Sequence, residues 1–343
     1  MLKKEMLGAV FEEGKLVLKN VIFPTIKKEN EVLLKIELAS ICNTDINILE
    51  KPSNYLAIPE IILGHEYIGS ILEVGKNVHD FKIGQKVVVN PSISCLFCKY
   101  CQNNLPHFCE NLSYLGISVD GGLAEYSVVP SSTLYSIPDD LNSEIAIFTE
   151  SLSYVMNALE KIKILPDFNV VVLGTGLIGL ICIKLLKTFN PKMIIASEIN
   201  KYRRNFALKC GADFVINPIE ENLEKVVLEK TKIGAHIVID TVGSLLKFAF
   251  KLVQVQGKII LLGENKQTKT EIFQNKITSS EITIYGSTSS QSYSSTLNFL
   301  QKNIINLENL ITHKLPLSKI HAGLNLLKTG EAIKVLIYPN EIS

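Results

Sequence analysis

Asn169-Val-Val-Val-Leu-Gly174-Thr175-Gly176-Leu177-Ile178-Gly179, followed by Leu180-Ile-Cys-Ile-Lys-Leu-Leu-Lys-Thr188, reads as a buried strand, a glycine turn and an apolar helix in direct succession. A G-x-G-x-x-G pattern is weak alone and gains meaning from a strand before it and a helix after it. The first glycine permits the tight turn, the second lets backbone approach a pyrophosphate, and the third lets the helix pack on the strand. The N–H groups at the helix start, from Leu177 and Ile178, then face negative charge along the favourable end of the helix dipole. About 20 residues on, Ser197-Glu198 ends the next apolar run, the spacing at which a carboxylate meets an adenosine ribose.

Outward from this turn, apolar strand and helical pattern alternate from about residue 152, which implies a parallel sheet covered by helices on both faces. The runs Asn169–Leu173, Met193–Ala196, Asp213–Ile216, His236–Asp240, Lys258–Leu262 and Glu281–Tyr285 predict six strands. Asp240-Thr241-Val242-Gly243 and Leu262-Gly263 fall at the C-terminal ends of two of them, where ligands of such sheets bind, so Val242, Gly243 and Leu262 are candidate cofactor contacts. Before residue 150 the texture differs. Leu16-Val-Leu, Glu31–Leu38, Tyr67–Gly75 and Lys86–Val89 are short β-rich runs between turn residues, the pattern of an antiparallel β domain. Lys334-Val-Leu-Ile-Tyr-Pro is a late strand expected to rejoin that domain.

Two groups of metal-ligating residue types lie in the first half. Cys95, Cys98, Cys101 and Cys109 stand at C-x2-C-x2-C-x7-C, close enough to wrap one tetrahedral zinc with no open position, which makes that site structural. Cys42-Asn-Thr-Asp45, Gly64-His65-Glu66 and Glu150 form a looser set suited to an open zinc. Seven cysteines, four of them in a metal spacing, fit thiolate ligands in a reducing compartment better than disulfides.

Composition narrows the classes. The 343 residues suit two domains, and 47% hydrophobic with 20% charged content fits a globular chain. Lys plus Arg number 35 against 34 Asp plus Glu, so charge gives no pull toward nucleic acid or membrane. The start lacks the pattern of a secretory signal, and the apolar run Val170–Leu186 is broken by glycines and Lys184. A cytoplasmic protein without nucleic-acid or membrane partners is the expectation.

Taken together, these segments resemble the zinc-dependent medium-chain dehydrogenases/reductases of the alcohol dehydrogenase superfamily, nearest in motif to the polyol (sorbitol-like) and threonine dehydrogenase branch. The matching pieces are Cys42-Asn-Thr-Asp, Gly64-His-Glu-Tyr-Ile-Gly, Val74-Gly75, Gly84-Gln-Lys-Val, the four-cysteine lobe, Gly121-Gly-Leu-Ala-Glu-Tyr, Glu150-Ser-Leu, the glycine turn and Gly211-Ala-Asp, spread over essentially the whole chain. The resemblance implies an α/β protein with a GroES-like antiparallel β domain and a doubly wound Rossmann domain with a six-stranded parallel sheet. It places the catalytic domain at 1–151 with its zinc lobe at 91–110, the NAD-binding domain at 152–287, and a return to the catalytic domain at 288–343. It implies two zinc ions per chain: a structural one on the four cysteines and a catalytic one on Cys42, His65 and Glu150. Glu66 is either a ligand or its close neighbour. Asp45 would orient the histidine, Thr44 would relay the substrate proton, and Arg203 and Lys334 would lie near NAD, Lys334 by the pyrophosphate. Three positions depart from the family pattern: Asn43, Ser151 after the glutamate, and the lack of a histidine just beyond Asp45.

The function expected from this resemblance is oxidation of a secondary alcohol, of a polyol or sugar-derived small molecule, to a ketone with hydride transfer to NAD, in a homodimer or homotetramer. L-threonine 3-dehydrogenase-like or simple secondary-alcohol activity is the alternative. A non-catalytic nucleotide- or zinc-binding interaction protein is the reading from a different class; the presence of Cys42, His65 and Glu150 and the balanced charge speak against it.

Overall fold

The computed structural model describes residues 4–50, 57–289 and 292–341. The chain divides into two compact units. The first comprises Met1–Glu150, Tyr293–Asn303 and Leu307–Ser343, and the second Ser151–Ser292 with Ile304–Asn306.

Among the described residues, the first unit is built on a sheet whose central strand is Glu31–Ile41. This strand pairs antiparallel with Glu66–Val74, with Tyr126–Pro130 and with the late strand Lys334–Tyr338. Its residues Val32, Leu34, Ile36 and Ala39 are fully buried and share a core with Tyr67, Ile71, Leu123 and Val335. The β-branched and leucine-rich texture of the run fits a strand buried on both faces. A hairpin of Glu5–Glu12 and Lys15–Ile22 turns at Glu13-Gly14, both with positive φ, beside this sheet's core. One register governs the site: Ser40 stands opposite Glu66, and Leu336 opposite Ser40. Cys42 follows the first strand, His65 precedes the second, and Lys334 opens the third, so all three fall at one end of the sheet.

The second unit is a six-stranded, wholly parallel sheet. Its strand order is Phe214–Ile216, Met193–Ser197, Asn169–Leu173, Ala235–Asp240, Val253–Leu261 and Thr283–Gly286. The order reverses beside Asn169–Leu173, the strand that feeds the glycine turn, and a crevice at such a switch point is where open α/β sheets bind ligands. The six strands expected from sequence are all present. The fifth begins earlier, at Val253, and carries a register shift opposite Ala235–Ile237. Helix Leu177–Thr188 buries Gly179 to Ile183, Leu185 and Leu186. No helix among the described residues is long and apolar enough to cross a membrane.

Candidate active site and metal centres

His65 is placed by a glycine. Gly64 has φ +92°, and a Cβ there would meet Leu123 Cγ at 2.5 Å, so no larger residue could turn the chain into the strand Glu66–Val74 this closely. On the other side, Asp45 secures Cys42: its Oδ2 accepts the Cys42 N–H at 2.8 Å from the first turn of helix Asn43–Leu49. Thr44 Oγ1 lies 3.8 Å from Cys42 Sγ. Ligand atoms of Cys42, His65 and Glu66 all come within 4.8 Å of one another. Glu150, in the first turn of helix Thr149–Leu159, is not part of that group. Thus the structure brings three of the four expected donors together and leaves the fourth outside.

The electrostatics of the trio are those of a cation site. Asp45 and His65 are buried, with Asp45 Oδ1 3.9 Å from His65 Nδ1, and neither atom has a hydrogen-bond partner. Burial pushes the Asp45 carboxyl up, partly offset by the imidazole. Burial disfavours a charged His65, yet the Cys42 thiol beside it, with Asp45 and Glu66, raises its pKa well above the ordinary value. Burial would also raise Glu66, but the Lys334 ammonium, His65 and the Ser40 hydroxyl hold it below the usual carboxylate range. A half-buried thiol with a buried imidazole and a buried carboxylate at mutual ligand distance, and a second carboxylate facing the imidazole, match zinc donors and their outer support.

Lys334 is where sequence reasoning and geometry part. Expected near a pyrophosphate, its ammonium is fully buried and ion-paired with Glu66, which also accepts the Ser40 hydroxyl. The Lys334 ammonium lies 5.3 Å from the centre of the Phe148 ring. Ser40 lies in no motif; only the strand register, which sets it opposite Glu66, brings it to the site.

The second metal centre is compact. The sulfurs of Cys95, Cys98, Cys101 and Cys109 lie within 4.8 Å of one another. Backbone N–H donation from Cys101 and Glu110 holds the Cys98 thiol down, to about 6. The Cys95 N–H points to Cys109 Sγ at 3.2 Å and the Cys98 N–H to Cys95 Sγ at 3.4 Å, the amide pattern that stabilises thiolates. Meanwhile Leu96, Phe97, Leu105 and Phe108 on the same lobe are exposed. Apolar burial therefore does little to hold the lobe's shape.

In the second unit, the turn has the shape of a phosphate cradle. Gly176 is the N-cap of the helix, and a Cβ there would meet nothing within 4 Å, whereas one on Gly179 would meet Gly174 O at 2.1 Å. Thr175 is buried. Its N–H and hydroxyl both reach Glu198 Oε2, at 2.8 and 3.2 Å, and Asn200 N–H reaches Oε1 at 2.9 Å. The acidic side chain is thus fixed beside the turn. Arg204 donates to the carbonyls of Glu198 and Ile199 at 3.1 and 2.5 Å, and Arg203 Nε is buried without a hydrogen-bond partner.

A Rossmann unit and a GroES-like unit that carry a four-thiolate cluster and a Cys/His/Glu set define a zinc-type dehydrogenase. Residues 28–139 match the alcohol dehydrogenase GroES-like domain and residues 178–302 the zinc-binding dehydrogenase domain. The chain is 31% identical to L-threonine 3-dehydrogenase of Thermococcus kodakarensis, over 91% of each chain. It is also 31% identical to the starvation-sensing protein RspB of Escherichia coli, over 90% of this chain and 91% of that one. Alcohol dehydrogenase TADH from Thermus sp. ATN1 superposes with a TM-score of 0.90 at 27% identity, covering 97% of this chain and 99% of that one. The chain belongs to the zinc-dependent medium-chain dehydrogenases/reductases, in the threonine and polyol dehydrogenase branch, and is an oxidoreductase.

Proposed function

We propose that the protein oxidises a secondary alcohol of a polyol or sugar-derived small molecule to a ketone, with NAD as hydride acceptor. The observation that carries this reading is the convergence of Cys42, His65 and Glu66, backed by Asp45, in a family of zinc-dependent dehydrogenases. In this reading Cys42 and His65, with Glu150 and Glu66 as the carboxylates, hold the catalytic zinc, and the four cysteines hold the structural one. Zinc at such a site acts as a Lewis acid that lowers the pKa of an alcohol, and the nicotinamide of NAD accepts hydride. The protein's own part is proton handling and placement. Thr44 passes the alcohol proton on, Asp45 keeps the imidazole oriented, and Lys334 holds Glu66 anionic so that it stays available as a donor. Gly174 to Gly179 cradle the pyrophosphate, with Glu198 accepting from ribose hydroxyls and opposing a 2'-phosphate. One related structure, of an Escherichia coli RspB at 28% identity, contains NADH, and another, from Sinorhizobium meliloti at 26%, contains NADP. The fixed Glu198 carboxylate favours NAD for this chain.

L-threonine is the second reading, favoured by the threonine dehydrogenases among the relatives. The reaction is assigned to the cytoplasm, in a homodimer or homotetramer. NADH formation across L-threonine, hexitols, sugar-phosphate alcohols and simple secondary alcohols tests the assignment. Turnover of L-threonine alone would replace the polyol reading, and turnover of none by zinc-loaded protein would remove both.

A further inference from the structure

We infer that Asp240 is a positioning residue that pre-assembles the nicotinamide side of the cofactor site. This rests on the reading that the segments 241–245 and 262–263 border the nicotinamide half of NAD. Asp240 ends the strand Ala235–Asp240 in the middle of the parallel sheet and is 1% exposed. Its Oδ1 accepts the N–H groups of Val242 and Gly243 at 2.9 and 3.0 Å, and its Oδ2 accepts that of Leu245 at 2.9 Å. Its main-chain carbonyl accepts the N–H groups of Leu262 and Gly263 at 2.9 and 3.0 Å. One residue therefore ties down both segments.

The segments also touch. A Cβ on Gly263 would meet Gly243 N at 2.2 Å, and one on Gly243 would meet Gly263 C at 2.6 Å, so backbone lies directly on backbone. The neighbouring Thr241 hydroxyl reaches the carbonyls of Leu173 and Gly174 at 2.9 and 3.1 Å, which fastens the same loop to the glycine turn. Tyr154 donates its hydroxyl to the Leu262 carbonyl at 2.6 Å.

A chemical consequence follows from where the donors go. With the N–H groups of Val242, Gly243, Leu245, Leu262 and Gly263 all committed to Asp240, these segments have acceptors rather than these N–H donors left to offer a ligand. They suit groups that donate, such as a carboxamide NH2 or ribose hydroxyls, and they disfavour a phosphate or carboxylate, which needs N–H donors. The order is built in before the ligand arrives, so the ordering cost of binding is reduced. Replacing the carboxylate by an amide puts an NH2 against at least one of three backbone N–H groups, and the loop can no longer satisfy all of them.

The test compares zinc-loaded full-length wild type with Asp240→Asn, using NADH and ADP as probes by fluorescence and calorimetric titration. ADP carries the adenosine and phosphate groups but no nicotinamide. Asp240→Asn is expected to weaken NADH at least about tenfold while ADP stays within about twofold. A parallel loss for both ligands, or no loss for either, would overturn the assignment. Hydrogen exchange on the wild type keeps the idea testable even if the variant does not fold. The amides of Val242, Gly243, Leu245, Leu262 and Gly263 should be protected without cofactor and unchanged by NADH. Fast exchange of these amides in the absence of NADH would also overturn it. Wild-type protein that binds ADP but not NADH would instead remove the nicotinamide reading itself, and this proposal with it.

Discussion

Lys334 and Glu66, 268 positions apart in sequence, form an ion pair whose side chains are 0% and 1% exposed, at the end of the sheet where Cys42 and His65 meet. Removing one member of a buried pair leaves an uncompensated charge and costs about 3 to 5 kcal/mol. Lys334→Met should therefore destabilise the protein by about that amount in urea unfolding, while Lys334→Arg loses much less. The double variant Glu66→Gln/Lys334→Met should recover part of the loss. Equal stability of wild type and Lys334→Met would show that the pair is not energetically coupled.

The four-cysteine lobe has little apolar burial of its own, so metal binding energy should supply its order. Cys98→Ser should lose one zinc per chain, lower the melting temperature and leave the other zinc in place. Unchanged metal content and unchanged melting together would refute a structural zinc.

Cys42→Ala should lose the other zinc and nearly all turnover, yet still bind NADH, because the glycine turn belongs to the other unit. Thr44→Val should retain zinc and slow alcohol oxidation by about 100-fold, the usual size of a lost proton relay. Zinc analysis of Glu66→Ala and Glu150→Ala separates the two carboxylates. Glu150→Ala with full zinc affinity and full kcat would take Glu150 out of the metal shell.

For the cofactor, the Glu198 carboxylate, fixed by Thr175 and Asn200, should give NAD a preference over NADP of about 100-fold in kcat/KM, or about 2.7 kcal/mol. Glu198→Ala should shrink that ratio mainly by weakening NAD use. Equal efficiencies in the wild type would mean that Arg203 governs the pocket instead.

Glu144 supplies a pH prediction away from the site. Burial raises its carboxyl, but hydrogen bonds from Lys314 and Tyr338 outweigh that and hold it below the ordinary value. A depressed folded pKa means the contribution is complete above the ordinary carboxylate range and disappears as pH falls through the folded value. Glu144→Gln should thus cost about 1 kcal/mol at pH 7, and the cost should shrink as the pH falls below the ordinary carboxylate range. A penalty independent of pH would point to shape rather than charge.

Sequence legibility followed the range of each interaction. The glycine turn and the cysteine lobe could be read because every participant lies within about 20 residues, and local spacing fixes their geometry. The Rossmann strands were legible one by one, since each apolar run is local and the helices between the runs require a parallel sheet. The ties of Glu66 to Ser40 and Lys334 could not be read, because they depend on how strands from opposite ends of the chain align. A one-residue slip in that register would turn Ser40 away. Asp240 reads in sequence as a strand terminus, and nothing in its neighbours' identities announces how many amides its carboxylate holds. Glu150 could be placed by motif but not by distance, since its position depends on where helix Thr149–Leu159 begins.

The first unit's sheet is assembled from strands on both sides of the second unit in sequence, and this orders events during synthesis. The parallel sheet can complete itself while the ribosome is still adding residues, but the strand Lys334–Tyr338 reaches its place beside Glu31–Ile41 only after the whole of the second unit has emerged. Until then Glu66 has no ammonium to neutralise it, and the edge of Glu31–Ile41 is open to pairing with other chains. Long-range closure of this kind is slow because loop entropy is lost before contacts repay it. Refolding should therefore show the nucleotide-side unit recovering first, with the metal-side pocket as the last part to mature and the one most exposed to aggregation.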